Sequence, residues 1–219
     1  GSQNVTVTDT INGALTVSGT WLVGAETAAR LEVKGDAVMT AGGSNELTIV
    51  AKDVYGNVDV NYSGDKALTF FGPGSSADGY APKIEGTDMI AGPIAVYFSY
   101  GISAAGAATL EAYRAESVTV NVSDSLIDSF DSPAYALELT INPGGVARYG
   151  VASDTYAPTA GVPFGVVVNG YDVYGNMASG DDITVSLTSS SGSLLFDGNG
   201  NGVFGEIGDI LGVLNAGAV

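Results

Sequence analysis

The chain has 219 residues, enough for one large or two small domains that bury a core without help from a metal or disulfides. Its 24 acidic and seven basic residues give a formal net charge of −17, which argues against nucleic acid as a partner, because phosphate binding needs clustered Lys and Arg. The absence of Cys and His excludes disulfides, thiolate metal sites and the usual Ser-His and Cys-His catalytic pairs.

Short runs of alternating apolar and polar residues, each closed by Gly, Asn, Asp or Pro, predict many β-strands. In chain order, strands are predicted at residues 4–8, 14–22, 29–34, 46–53, 67–71, 94–99, 107–113, 117–123, 136–141, 147–153, 164–172, 182–188 and 193–196. Residues 206–214 have a weak helical period, but Gly208 and Gly212 argue against a helix. No apolar run approaches the roughly 18 residues of a membrane-spanning helix, so membrane insertion is not expected. The predicted fold class is all-β, because regular short strands with turns between them are typical of a β-sandwich.

A motif occurs twice, because Asp53-Val54-Tyr55-Gly56-Asn57 returns as Asp172-Val173-Tyr174-Gly175-Asn176, 119 residues later. Two further segments repeat upstream of it: Ala29-Arg30-Leu31-Glu32-Val33 matches Ala147-Arg148-Tyr149-Gly150-Val151, and Thr40-Ala41-Gly42 matches Thr159-Ala160-Gly161. Such self-similarity marks a tandem array. We therefore predict two immunoglobulin-like β-sandwich domains in tandem, a first repeat at residues 25–142 and a second repeat at residues 143–219.

The predicted repeat boundaries do not coincide with the ends of the sequence. Val5-Thr6-Val7-Thr8-Asp9 resembles Val120-Asn121-Val122-Ser123-Asp124, so residues 1–24 are interpreted as the terminal strands of a preceding repeat. Only 43 residues follow Asn176, which predicts an incomplete second repeat. One interpretation is a chain cut without regard to domain edges. The other is a filament in which the N-terminal strand of one chain completes the open sandwich of the next.

The repeated motif is predicted to be a structural turn. Gly56 and Gly175 are expected to take a positive φ, and Asn57 and Asn176 to hold the turn by side-chain hydrogen bonds. Both tyrosines, Tyr55 and Tyr174, are expected to be partly buried rings anchored by their hydroxyls. An alternative role for Asp53 and Asp172 is to help hold calcium at a junction between modules.

The pattern resembles the immunoglobulin-like repeats of large bacterial cell-surface proteins, such as adhesins, invasin-type stalks and S-layer proteins. These modules carry an Ala-Gly turn, a strand and an Asp-x-Tyr-Gly-Asn turn before a Gly-containing hairpin, here Tyr62-Ser63-Gly64 and Ala178-Ser179-Gly180. The resemblance implies a non-catalytic structural or adhesive module outside the cell. Its partners would be neighbouring copies or modules of the same protein, or surface glycans and other cell-surface ligands. The first repeat departs from the pattern in an insertion at residues 72–92.

A second motif, Asp197-Gly198-Asn199-Gly200-Asn201-Gly202, matches the opening of a calcium-binding loop, with oxygen side chains followed by the Gly of a sharp turn. Position 12 of such a loop, where a bidentate acid is expected, falls on Gly208. The predicted calcium ligands are Asp197, Asn199, Asn201, Glu206 and Asp209. The alternative is a Gly-Asn hairpin turn that needs no metal.

Catalytic residues are harder to find than structural ones. Carboxylate pairs such as Asp78 with Glu85, or Asp181 with Asp182, are not distinguished from the many other acids, so no enzyme is predicted. A carbohydrate-binding module is a further alternative, because several aromatic residues are candidates for a sugar platform: Trp21, Tyr80, Tyr97, Tyr100 and Tyr113. Filling of the core is the preferred interpretation for most of these rings.

Overall fold

The computed structural model describes residues 1–178, 183–190, 194–198, 200–205 and 211–214, and the fold within these ranges is nearly all β. The strands are β1 (Ser2–Thr8), β2 (Thr16–Leu22), β3 (Arg30–Lys34), β4 (Val38–Thr40), β5 (Ser44–Glu46), β6 (Thr48–Lys52), β7 (Gly64–Phe71), β8 (Lys83–Ile84), β9 (Thr87–Asp88), β10 (Ile94–Ser99), β11 (Ile102–Ser103), β12 (Thr109–Glu111), β13 (Glu116–Ser123), β14 (Leu137–Asn142), β15 (Arg148–Ser153), β16 (Val166–Tyr171), β17 (Ile183–Ser186) and β18 (Leu211–Leu214). One short 3₁₀ helix, Met89–Ala91, follows β9. In these ranges, no helix has the length and apolar character needed to cross a membrane.

Most strands of the first repeat belong to two sheets. The larger sheet has the order β3-β6-β11-β10-β7-β13-β14-β4, and the smaller has the order β5-β12-β8-β9. All pairings within them are antiparallel except that of β14 with β4, which is parallel. The strands β1 and β2 form a separate antiparallel hairpin, as do β15 with β16 and β17 with β18.

The core of the first repeat takes side chains from both sheets and follows from the period-two pattern of the strands. In β14, Leu137, Leu139 and Ile141 are buried, while the intervening residues are exposed. In β10, Val96 and Phe98 are buried in the same way. These side chains join one cluster that includes Ile84 and other residues of the smaller sheet.

The two repeats share the register of their first strand pair. In the first repeat, Leu31 lies opposite Ala51 and Val33 opposite Ile49. In the second repeat, Tyr149 lies opposite Gly170 and Val151 opposite Val168, which are the residues at matching positions. The sequence repeat is therefore also a repeat of backbone pairing in this part of the fold.

One strand was not predicted, and one predicted strand is absent from the described residues. Leu211–Leu214 lies in the stretch with a weak helical period, where the glycines argue against a helix, and it is a strand paired with β17. Residues 194–196, within the strand predicted at 193–196, are not in a strand. The insertion at residues 72–92 contains β8, β9 and the 3₁₀ helix, and it attaches to β12 as part of the smaller sheet.

Candidate functional site

Each copy of the repeated motif is a turn built around one buried aspartate. Oδ1 of Asp53 accepts hydrogen bonds from the amides of Tyr55 at 2.9 Å and Asn57 at 2.8 Å. Its Oδ2 accepts the side-chain amide of Asn57 at 3.0 Å and the backbone amide of Glu26 at 3.1 Å. Burial, the largest single influence, raises the pKa of Asp53, but the hydrogen bonds together hold it below the ordinary value.

Asp172 repeats this network. Its Oδ1 accepts the amides of Tyr174 and Asn176, both at 2.9 Å. Its Oδ2 accepts the Asn176 side chain at 2.8 Å and the amide of Gly144 at 2.9 Å. Burial again raises the pKa of Asp172, and the hydrogen bonds outweigh it and lower the pKa. The adjacent glycines, Gly56 and Gly175, have φ values of 85° and 83°, which L side chains rarely adopt.

The geometry favours the structural role of these aspartates over the calcium role. Each oxygen of Asp53 and Asp172 accepts two N–H donors, so its lone pairs are already directed at hydrogen bonds. The bond from Oδ2 reaches back to the segment that leads into each repeat, at Glu26 and Gly144. The turn therefore fixes the path of the chain as it enters each repeat.

The second turn is also docked on the first repeat. Oδ1 of Asn176 accepts the amide of Ala115, and Nδ2 of Asn176 donates to the carbonyl of Tyr113, each at 2.8 Å. The amide of Asp78 donates to the carbonyl of Tyr174 at 3.3 Å. Asn176 itself is only 8% exposed, so its end of these partly buried bonds is shielded from water. The contact residues are called the joint below: Asp78, Tyr80, Tyr113 and Ala115 of the first repeat, with Arg148, Tyr174 and Asn176 of the second.

Three tyrosines pack at the centre of the joint. The ring of Tyr174 lies 5.2 Å from that of Tyr80 and 5.1 Å from that of Tyr113, centroid to centroid. A hydrogen bond to Glu111 and, to a lesser extent, burial raise the pKa of Tyr113 to about 12, so this hydroxyl stays protonated as a donor. The ring of Tyr174 also lies against Gly42, where an added Cβ would come within 2.1 Å of the tyrosine hydroxyl.

An ion pair closes one side of the joint. The guanidinium of Arg148 contacts both carboxylate oxygens of Asp78, at 2.7 Å and 2.9 Å, in the bidentate geometry that planar Arg and carboxylate groups favour. The hydrogen bond from Arg148 is the main cause that lowers the pKa of Asp78, and the same bond raises the pKa of Arg148. Asp78 is therefore a structural partner of the second repeat. Glu85, the other member of that candidate carboxylate pair, accepts a hydrogen bond from the amide of Thr109 at 2.6 Å.

Tyr55 corrects the sequence-based expectation of a partly buried ring. Its side chain is 76% exposed, whereas Tyr174, at the matching position, is partly buried in the joint. Sequence reasoning also missed Asp78 as a contact of Arg148. The signal for it was the insertion at residues 72–92, which is long enough to carry Asp78 and Tyr80 to the second turn.

The aromatic residues considered for a sugar platform lie in different environments. Tyr80 and Tyr113 pack against Tyr174 and are therefore parts of the joint. Trp21, Tyr97 and Tyr100 are exposed, so core filling is wrong for these three rings.

The calcium motif forms a turn in the residues that the structure describes. Asp197 accepts the amide of Asn201 at 3.1 Å through Oδ1 and that of Gly202 at 2.9 Å through Oδ2. Asn199, Glu206 and Asp209 lie outside the described residues. Within the described ranges, no group of three or more His, Cys, Asp or Glu side chains is arranged to hold a metal ion. Calcium at this loop stays a prediction.

The function of this chain has to be inferred from the geometry of the joint. No protein-family model matches the sequence, and a search of curated proteins finds no match. Within the described residues, the joint combines partly buried hydrogen bonds, an edge-to-face ring contact and a bidentate ion pair between segments far apart in sequence. Such an arrangement can hold two parts of a chain in one orientation.

Proposed function

We propose that this chain is a non-catalytic structural module of an extracellular cell-surface protein, built from tandem immunoglobulin-like β-sandwiches and serving as a stiff spacer or adhesive array. The observation that carries the proposal is the docking of the second turn on the first repeat through Asn176. A passive linker would not need a buried side chain that bonds two backbone groups of the preceding repeat.

The joint supports stiffness because it restrains the connection from both sides. Asp172 holds the linker at Gly144, and Asn176 and Arg148 hold the first repeat at Tyr113 and Asp78. Interfaces between domains of one chain are by default small and mobile. A specific set of buried hydrogen bonds and ring contacts instead selects one relative orientation, which is the property a spacer needs.

The proposed location outside the cell draws on the resemblance of the repeats and on composition. A chain with 24 acidic residues and no Cys suits a surface array that stays soluble without disulfides. Its adhesive partners, in this proposal, are neighbouring copies or modules of the same protein. Calcium bound at the Asp197 loop would add local stiffness to the second repeat.

Gly42 offers a test with a matched control. Gly42 has φ of 79° and Gly161, at the equivalent position in the second repeat, has φ of 80°. Alanine costs about 1 kcal/mol at either position because of the left-handed backbone. Only at Gly42 does the new Cβ collide with Tyr174, since an added Cβ at Gly161 meets nothing within 4 Å.

Orientation can be measured by double electron–electron resonance, because the chain has no native Cys to interfere with labelling. Spin labels at Ala67→Cys and Ala152→Cys, both exposed strand positions, report the distance between the repeats. We expect a narrow distance distribution in the parent and in Gly161→Ala, and a broad one in Gly42→Ala. A broad distribution in the parent would refute the stiff spacer, and a narrow one in Gly42→Ala would refute the role of Tyr174 in holding the two repeats together.

A further inference from the structure

The hairpin of β1 and β2 presents an uncovered apolar face. Threonine and serine side chains bond across one face, with Thr6 2.6 Å from Ser18 and Thr8 3.1 Å from Thr16. The opposite face carries Val5, Val7, Val17 and Trp21, each more than half exposed, with the indole lying across Gly19. A two-stranded hairpin is marginally stable in water, so an apolar face of this kind favours a covering partner.

The two strands of this hairpin pair in the same register as β13 and β14. Val5 lies opposite Gly19, and Val120, the residue that matches Val5, lies opposite Leu137. Leu137 precedes Arg148 by 11 residues, just as Gly19 precedes Arg30, so the second strands match as well as the first.

The turn and exit of the two hairpins also agree. Oδ1 of Asp9 accepts the amides two and three residues ahead, and Oδ1 of Asp124 does the same. The chain then leaves each hairpin into a segment held by the aspartate of the next turn, at Glu26 and at Gly144. The hairpin of β1 and β2 thus stands before the first repeat as β13 and β14 stand before the second.

In the first repeat, β13 and β14 close the core. Their connecting segment bonds the outer edge of β3, with the amide of Leu31 2.8 Å from the carbonyl of Asp128 and the amide of Val33 2.7 Å from that of Tyr135. The inward side chains of β14, such as Leu139, are buried in the same cluster as Leu31 and Val33. This coverage leaves Val33 only 3% exposed.

The equivalent face of the second repeat is exposed in the part of that repeat that the structure describes. Val151, which matches Val33, is 73% exposed, and Tyr149, which matches Leu31, is also exposed. Beside this strand pair lies an apolar cleft of about 550 Å³, lined among others by Phe164, Val166 and Phe204. The second repeat therefore offers a surface of the kind that β13 and β14 cover in the first.

We propose that the β1–β2 hairpin of one copy of this chain covers the exposed face of the second repeat of another copy. In this contact, Trp21 occupies the position that Leu139 has in the first repeat. This inference rests on the repeat architecture of the proposed function and names a partner for it. The contact is head-to-tail, so it propagates into a filament. Residues 1–24 carry a single charged side chain, Asp9, so repulsion between the acidic copies is small at this contact.

The full 219-residue chain carries its own reporter, because Trp21 is the only tryptophan. We expect the mass measured by light scattering to rise in multiples of one chain with concentration, together with a blue shift of tryptophan emission. A monomer with unchanged emission at all concentrations overturns the proposal. A monomer whose emission is already blue-shifted also overturns it, because the hairpin would then cover its own chain.

Two variants make the test specific. Val7→Asp places a charge on the apolar face of the donor hairpin, and Val151→Asp places one on the exposed acceptor face. Each alone should lose assembly, whereas Thr6→Asp, on the polar face, should retain it.

A mixture of the two variants should form dimers and nothing larger, because each supplies the surface that the other has lost. Monomers in that mixture contradict the proposal. The result does not depend on the substituted surfaces, because the contact in the mixture uses the unmodified hairpin of Val151→Asp and the unmodified second repeat of Val7→Asp. The spin-label distance between the repeats within one chain is independent of this result, so failure of the filament and failure of the stiff spacer are distinguishable.

Discussion

Replacing Asn176 with alanine removes two of the hydrogen bonds that cross the joint, and the chain supplies a matched control in Asn57→Ala. Asn57 occupies the same position in the first turn, where its side chain bonds Asp53 at 3.0 Å and is exposed. Asn176 makes the corresponding bond to Asp172 and two further bonds to the first repeat. The difference between the variants therefore isolates the two bonds that cross the joint.

The magnitude follows from those two bonds. A buried neutral hydrogen bond contributes about 1 kcal/mol net, so Asn176→Ala should lower the free energy of opening the joint by about 2 kcal/mol more than Asn57→Ala does. The amide of Asp78 donates to the carbonyl of Tyr174 across the joint and keeps this acceptor in both variants, so it reports that opening through hydrogen exchange. At about 1.4 kcal/mol for each factor of ten, we expect the Asp78 amide to exchange roughly 30-fold faster in Asn176→Ala than in Asn57→Ala.

Equal exchange of the Asp78 amide in the two variants would refute the reasoning. It would mean that the second turn is not held against the first repeat in solution. Exchange at amides of the core strands, such as Val120, serves as the internal reference, because neither asparagine bonds that strand. A uniform increase over all amides would indicate global destabilisation and would likewise count against a local joint.

Three further predictions concern the turns and the loops. Gly175→Ala should lower the melting temperature more than Gly56→Ala, because both have positive φ but only at Gly175 would a Cβ lie 2.9 Å from Asp78. Since Arg148 holds the pKa of Asp78 below its ordinary 3.8, the ion pair stabilises the joint above that pH and the contribution is lost as the pH falls below it. The melting temperatures of the parent and Asp78→Asn should therefore converge as the pH falls below 3.8, the ordinary pKa of the Asp78 carboxyl. Calcium at 100 times its dissociation constant should stabilise the parent by about 2.7 kcal/mol and leave Asp197→Ala unchanged; an unchanged parent would reduce this loop to a plain turn.

Most of the longer strands were predictable because burial on one face imposes a period of two on the sequence. The pattern of β14 is an example, since its buried and exposed residues alternate without exception. The shortest strands, such as Lys83–Ile84 and Thr87–Asp88, have too few residues to show a period. Leu211–Leu214 was missed for another reason, because its apolar residues belong to a longer run with helical spacing.

The local geometry of the turns was also within reach of the sequence. Asp172 bonds amides two and four residues ahead, and Gly175 supplies the positive φ between them. The joint could not be predicted from the sequence, because its contacts join residues that are distant in sequence. Asn176 bonds Tyr113 across 63 positions, and Arg148 bonds Asp78 across 70.

The repeated pentapeptide separates the two kinds of information. The sequence Asp-Val-Tyr-Gly-Asn by itself determined the turn, since the same carboxylate network forms around Asp53 and Asp172 from bonds mostly within a few residues. Only the tertiary structure decided that Tyr55 is exposed to solvent and that Tyr174 packs between two rings of the preceding repeat. Hydrogen bonds within a turn depend on its own residues, whereas burial depends on what the rest of the chain places opposite it.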